Sequence, residues 1–297
     1  MRIGYLETFC QVVEEGNISK VAKNNFITQP AITKQIRQLE TLYGTQLFER
    51  NNGNLVVTTT GKRLYEIAKQ LVFDYNQSFA MIDQVKGIES SSLKIGASFT
   101  IAEYILPHVL GEFKKIHSNI DITLEVSSTP NILHRLRENK IGMALVEGEV
   151  YTDEDLIVNK FAEDELVLVC SPDHRTFALS QSVRVEDLSH EKFIWREENS
   201  GTRLLVEKML GENWSDIINI YMELGSTQAI KGAVEINLGV AILSSLVIDT
   251  ELKQNMLKKI NIENVELKRD LWAVQRKERF VNKLEGEFIK FIKNYQF

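Results

Sequence analysis

The sequence predicts three parts in series: a small helical head carrying a β-hairpin, one long helix, and an α/β body of two subdomains. Three observations predict this. Short amphipathic segments joined by a tight turn precede a β-branched run with an Asn/Gly turn, and a proline-free amphipathic stretch follows them. From Ser92 onward, apolar strands alternate with helical segments. The boundaries read from these changes are 1–60 for the head, 61–91 for the long helix and hinge, and 92–297 for the body. Within the body, 92–162 and 266–297 form one subdomain and 163–265 the other.

At 297 residues the chain is too long for one ordinary core, and 43% hydrophobic residues mark globular domains. The formal net charge of −6 is unevenly placed: residues 1–65 hold eight Lys/Arg against five Glu and no Asp, so +3, leaving −9 for the rest. A basic head on an acidic body is expected to meet a polyanion only through the head. Cys10 and Cys170 lie far apart without metal-site spacing, which suits a reducing cytoplasm. No signal peptide's apolar run follows Met1 and no stretch is long enough to span a bilayer. A cytoplasmic protein without a membrane partner is expected.

In the head, "YLETFCQVVEEG" sets Leu6, Phe9 and Val13 on one helical face, and Gly16 ends it. "NISKVAKNNF" starts a second helix with Ser19 as N-cap and Val21, Ala22 and Phe26 inward. In "FITQPAITKQIRQLE", Thr28 caps a third helix, Ile27 packs on Ile32, and Pro30 falls in the first turn, where its missing N–H costs nothing. Ile32, Ile36 and Leu39 form the inner stripe; Pro30, Thr33, Lys34 and Arg37 share the opposite arc, with Gln29 at the exposed end. A polar back alone is what any surface helix has. The tight helix pair, the capping residues and the hairpin in "LFERNNGNLVVTTTGKRL" together make a winged helix-turn-helix, with Leu47 and Phe48 anchoring the wing and Arg50, Lys62 and Arg63 available to phosphates. Gln can bond an adenine edge twice, Arg or Lys can bond guanine, and Thr or Pro can touch a thymine methyl.

From Phe9 to Leu64 the head resembles the N-terminal domain of LysR-type transcriptional regulators. The matching positions are Phe9, Val13, Ser19, Ala22, Gln29, Pro30, Ala31, Ile36, Leu39, Glu40, Gly44, Leu47, Phe48, Arg50, Thr58 and Gly61. Departures are mild: Val21 for a common alanine, Thr33 for serine and Tyr43 for leucine. The resemblance implies contact with double-stranded DNA through Ser19, Thr28, Gln29, Pro30, Thr33, Lys34, Arg37, Arg50, Thr58 and Lys62. It also implies a homodimer or homotetramer and a contact with RNA polymerase.

The long helix spaces Leu64, Ala68, Leu71, Tyr75, Ile82 and Val85 near heptad a and d positions, with Phe79 one step off, and ends at Gly87. The same pattern serves an ordinary amphipathic helix packed on its own domain; the resemblance favours a dimerising linker. "IESSSLK" reads as the hinge into the body.

The body's strand–helix alternation implies a parallel sheet with helices on its faces. Its two subdomains resemble the periplasmic-binding-protein-like effector domain of the same family. Four β→α turns carry similar chemistry: "SFT" (Ser98, Thr100), "SSTP" (Ser127, Ser128, Thr129), "NSGTR" (199–203) and "GSTQ" (225–228). Helix N-termini offer free N–H groups and hydroxyls add donors, so the turns suit a small anion in the crevice at the strands' carboxyl ends. Ser and Thr are also good N-caps, which is the plain reading of any one turn. Four termini at ~0.3–1 kcal/mol each supply only about millimolar binding. A charged donor is therefore needed, Arg203 first and Arg196 second. Glu147 would repel an anion unless it pairs with an arginine or meets an ammonium group. The expected effector set is Ser98, Thr100, Thr129, Glu147, Arg196, Ser200, Gly201, Thr202, Arg203 and Thr227.

"GASFTIAEYILP", "ALVEG", "WREENSGTR" and "GSTQAIKGAVE" look like the LysR subgroup controlling sulfur assimilation and cysteine biosynthesis, which responds to small sulfur-metabolism compounds including oxyanions. A different carboxylate or a phosphorylated metabolite is the alternative. No cofactor, metal or catalytic residue is expected: the five histidines show no HExxH, and GxSxG, GxGxxG and P-loop motifs are missing. Cys170 sits at an apolar strand end, where a buried inert thiol is expected.

Overall fold

The computed structural model describes residues 3–51, 54–85, 92–150, 155–177, 180–198, 200–277 and 283–295. The turn at residues 52–53, Gly87 with the hinge, and Asn199 lie outside them. The chain divides into two units, Met1–Glu89 and Ser90–Phe297.

The first unit runs α1 (Ile3–Glu15), α2 (Ile18–Asn24), α3 (Gln29–Tyr43), the hairpin β1 (Phe48–Asn51) and β2 (Asn54–Val57), then α4 (Thr59–Val85). Gly16 ends α1 in the left-handed region, φ +60°, a conformation that favours glycine. Leu6, Phe9, Cys10 and Val12 are buried while Val13 is only half-buried, so the inner face is turned one residue from expectation. The N-cap of α2 is Asn17 rather than Ser19: its side chain accepts from Lys20 N at 3.1 Å, whereas Ser19 already lies inside the first turn.

Phe26 also departs from expectation. It is 95% exposed at φ +54°, because it is the left-handed residue closing α2. Ile27 N bonds back to Ala22 O at 3.0 Å and Phe26 N to Lys23 O at 3.2 Å, a Schellman-type ending. That conformation turns the ring out of the core. Ile27 is 40% exposed, while Ile32 below it is fully buried. The α3 stripe of Ile32, Ile36 and Leu39 is buried, and Gly44 at φ +65° ends the helix.

The Glu40 carboxylate accepts from Leu47 N at 2.9 Å and Phe48 N at 3.4 Å, fastening the wing to α3. Phe48 packs edge-on against Phe9, ring centroids 5.5 Å apart. Thr58 caps α4, accepting from Gly61 N at 3.0 Å and donating to Gln46 O at 2.9 Å. A Cβ on Gly61 would meet Leu47 O at 2.3 Å and Val57 Cγ1 at 2.8 Å. Gly61→Ala should therefore push the wing from α4 and cost about 1–3 kcal/mol, as overpacking does. A urea melt with an unshifted midpoint would contradict that.

Along α4, Leu64 and Ala68 join the head's core, so two expected heptad positions serve the head. Ile67, Leu71, Tyr75, Phe79 and Ile82 are exposed and share one arc at about 100° per residue. Tyr75 and Phe79 pack edge-on at 5.0 Å. The side chain of Val85 lies outside the described residues.

The second unit begins with β3 (Ser92–Ala97), a π-helical turn (Ile101–Ile105), α5 (Leu106–Ile116), β4 (Asp121–Val126), α6 (Thr129–Arg137) and β5 (Met143–Glu147). Then come β6 (Leu156–Cys170), β7 (Ser182–Val183), β8 (Phe193–Arg196), α7 (Gly201–Leu210), α8 (Trp214–Ile217), β9 (Ile220–Leu224), α9 (Thr227–Glu235) and β10 (Ala241–Ser244). Finally α10 (Asp249–Lys253), β11 (Lys258–Ile262), β12 (Lys268–Arg276) and α11 (Lys283–Lys293) close the chain. The main sheet is ordered β4-β3-β5-β12-β6-β11-β7, with β10 also on β6 and a separate β8-β9 pair.

The sheet is mixed, not parallel as expected. β3 is parallel to β4 and β5, and β8 to β9, but β12 runs antiparallel to β5 and β6, as do β10 and β11 to β6. The cause is two long strands returning through the middle. β6 carries the chain across the 162/163 boundary and β12 brings it back. Each half then buries its own core: α5 and α11 pack on β3 and β5 around Phe113 and Phe288, while Phe193, Trp195, Leu168 and Val240 centre the other half. This arrangement points Ser98, Thr129, Glu147, Thr202 and Thr227, all at strand ends or helix starts, toward the meeting of the halves.

Candidate functional site

On the head, Gln29, Pro30, Thr33, Lys34 and Arg37 line one shallow groove with Gln38 and Thr41. The Ser19 hydroxyl donates to Gln29 Oε1 at 3.2 Å and Thr33 Oγ1 to Gln29 O at 3.0 Å, so two neighbours hold the glutamine at the groove's end. Thr28, Lys34, Arg37, Arg50 and Lys62 are exposed. Among the described residues no carboxylate pairs with Lys34 or Arg37. The Thr58 hydroxyl is committed to Gln46 and Gly61, so it shapes the wing's base.

The body holds a buried polar cluster. Glu147, at the end of β5, accepts from the Ser98 hydroxyl, and the Thr129 hydroxyl bonds its backbone oxygen at 3.3 Å. Arg269 on β12 stands 3.6 Å from Glu147 Oε1 and grips Asp164 Oδ2 on β6 at 2.7 Å. Its other nitrogens reach Thr202 Oγ1 at 3.1 Å and Thr100 Oγ1 at 3.4 Å, one hydroxyl from each half. Ser244 donates to Asp164 Oδ1 at 2.8 Å. Gly201, at the start of α7, lies against Glu147: a Cβ there would stand 3.8 Å from its Cγ. Burial pushes the Glu147 carboxyl above the ordinary carboxylate range; Asp164 adds to this, and Arg269 and Arg196 oppose it.

Arg196 and Thr227 form a neighbouring pair, Nη1 to Oγ1 at 3.2 Å, and Glu197 takes the other guanidinium edge at 2.8 Å. Ser200, the residue before α7, is buried. Arg203 does not join the cluster. It bonds Glu207 at 2.6 Å, Glu223 at 2.8 Å and Arg196 O at 3.0 Å, with Trp214 beside it, and so ties α7 to β8 and β9. The cation that the turns surround is Arg269, which sequence reasoning passed over with Asp164 and Ser244. A legible sign was available. In "LKRDLWAV" the strand alternation sets Arg269 on the face of Leu267, Leu271 and Ala273, and in "DELVLVC" Asp164 shares the face of Leu166, Leu168 and Cys170.

Among the described residues no His/Cys/Asp/Glu group could hold a metal ion, and no helix is long and apolar enough to cross a membrane.

Residues 3–62 match the description "Bacterial regulatory helix-turn-helix protein, lysR family", and residues 86–296 match "LysR substrate binding domain". The chain belongs to the LysR family of transcriptional regulators. As a LysR-type protein it is a DNA-binding regulator and not an enzyme. The HTH-type transcriptional regulator CysL of Bacillus subtilis (strain 168) is 32% identical over 292 residues, spanning 98% of this chain and 97% of that one. A probable RuBisCO transcriptional regulator of Cyanidioschyzon merolae is 31% identical over 293 residues, spanning 97% and 96%. The LysR-type body also resembles the Synechocystis PCC6803 CcmR regulatory domain, solved in complex with 2-PG. That match has a TM-score of 0.62 and 27% identity, and covers 68% of this chain and 95% of that one.

Proposed function

We infer that this LysR-type regulator reads its operator with Gln29, Thr33, Lys34 and Arg37 in a major groove, while Arg50 and Lys62 rest on phosphates. The exposed apolar arc of α4 supports a two-fold dimer, whose half-sites lie about one helical turn apart. A dimer, or a tetramer assembled from it, works in the cytoplasm and contacts RNA polymerase. A small anionic metabolite entering between the halves of the body controls it. One observation carries this last reading: Thr100 from one half and Thr202 from the other bond the same buried guanidinium. Any shift of the halves rearranges these donors, so a ligand that prefers one arrangement shifts the balance between them.

Similarity to CysL supports a sulfur compound as the effector and sulfur assimilation or cysteine biosynthesis genes as targets. Similarity to the RuBisCO regulators and to CcmR with 2-PG supports the second reading, a different carboxylate or phosphorylated metabolite. Calorimetry of the full chain with sulfate, sulfite, O-acetylserine and 2-PG separates them. Heat from one class, together with changed operator affinity, identifies the effector. Silence toward all four would remove the anion reading.

A further inference from the structure

Each guanidinium near the meeting of the halves already has a carboxylate. Arg196 holds Glu197, Arg203 holds Glu207 and Glu223, and Arg269 holds Asp164 with Glu147 behind it. Among the described residues, an incoming anion therefore meets no unpaired guanidinium there, unless one resident carboxylate gives up its share.

The three kinds of resident differ. Asp164 is locked: a short side chain on a central strand, bonded at 2.7 Å to Arg269 and at 2.8 Å to Ser244. Glu197 and Glu223 lie at the edge, their side chains 33% and 48% exposed. Glu147 is neither. It sits at the end of β5 among the groups an oxyanion would use: the Ser98 hydroxyl, the first residue of α7 at Gly201, and Arg269 at a loose 3.6 Å.

We propose that Glu147 is the resident anion of the effector site, and that an effector anion binds there together with one proton, which Glu147 takes up. The proton comes from solvent and forms the carboxyl O–H, which then donates to the bound oxyanion instead of repelling it. The Ser98 hydroxyl and the side of Arg269 turned toward Glu147 become available to the ligand in the same step, while Arg269 keeps Asp164. This rests on the anion reading above.

The charged groups facing Glu147 are Arg269 from β12, Asp164 from β6 and Arg196 from β8; Ser98, Thr129 and Gly201, from the remaining elements, add none. Burial and Asp164 both favour the protonated acid, against Arg269 and Arg196, which reduces the free-energy cost of taking up the proton.

The test is calorimetry of the full chain with sodium sulfate, an anion that does not itself titrate near neutrality, in buffers of differing ionisation enthalpy and from mildly acidic to mildly alkaline pH. Wild type should bind more weakly as pH rises, approaching about tenfold per pH unit, and take up about one proton per sulfate on the alkaline side. Glu147→Gln should lose the pH dependence and bind at least about tenfold more tightly than wild type in alkali. Sulfate bound by wild type without proton uptake or pH dependence overturns the role of Glu147 and leaves the anion reading standing; that measurement needs no variant. If neither protein binds sulfate at any pH, the anion reading itself fails for this probe, and the proposal with it.

Discussion

Arg269→Ala is expected to cost the body about 3–5 kcal/mol, because it leaves Asp164 and Glu147 buried together without their shared cation. Asp164→Asn should cost less, since Arg269 keeps Glu147 and the new amide can still bond Ser244. The ranking matters more than the magnitudes. It follows from Arg269 and Asp164 both having fully buried side chains. The loss in Arg269→Ala should also depend on pH with a definite sign. Burial already holds Glu147 above the ordinary carboxylate range, and removing Arg269 removes the main opposing charge. The folded state then binds this proton more tightly than the unfolded state, so stability is kept in acid and falls as pH rises. Urea denaturation of the full chain at several pH values measures both. A cost below that of Asp164→Asn, or one that shrinks as pH rises, would contradict the assignment.

The double variant Gln29→Ala/Arg37→Ala should weaken operator binding by about 2–6 kcal/mol, taking ~1–3 kcal/mol for each lost base contact. The two side chains lie more than two helical turns apart along α3, so their effects should be close to additive. Neither belongs to the buried stripe of Ile32, Ile36 and Leu39, so the melting temperature should not move. Arg50→Ala is the contrast. Its loss should be even across sequences, with the salt slope reduced by about one. Fluorescence anisotropy decides this, using a fragment selected by the wild type from random DNA beside a scrambled one. Full specificity retained by the double variant would exclude α3 from the groove.

Much of the head was legible because local chemistry governs it. The α3 stripe, the proline in its first turn and the glycines after α1 and α3 each follow from period and backbone preference. Phe26 was not legible. Hydrophobic pattern sends a phenylalanine inward, but the turn needed a left-handed residue there and backbone geometry prevailed. Asn17 and Ser19 are both good caps, and only the helix's starting point separates them.

In the body, the β→α turns were visible as Ser/Thr clusters, and Ser98, Thr100, Thr129, Glu147, Gly201 and Thr202 do come together. The cation among them was misplaced, since Arg203 stood in a turn and Arg269 in a strand. Turn residues advertise themselves; a charge at an inward strand position shows only when the strand's own alternation is traced through it. The long course of β6 was missed for a related reason. Residues 156–165 of β6 mix buried, half-buried and exposed positions, whereas 166–170 are buried throughout, so one strand reads as two.

The ladder between β6 and β12 is irregular at one place: Leu271 pairs with Ala162 but Trp272 with Lys160, so the pairing skips Phe161. These two strands are the ribbon between the halves, and a rotation of one half against the other loads them in torsion. An intact ladder keeps its hydrogen bonds along its length, whereas a bulge leaves one residue unpaired and carries extra local twist. The bulge here adjoins Leu271, which pairs across to Glu147 and stands two residues from Arg269. The irregularity thus sits where a twist of the ribbon and a rearrangement of the contacts of Arg269 would meet, within two residues of each other on β12.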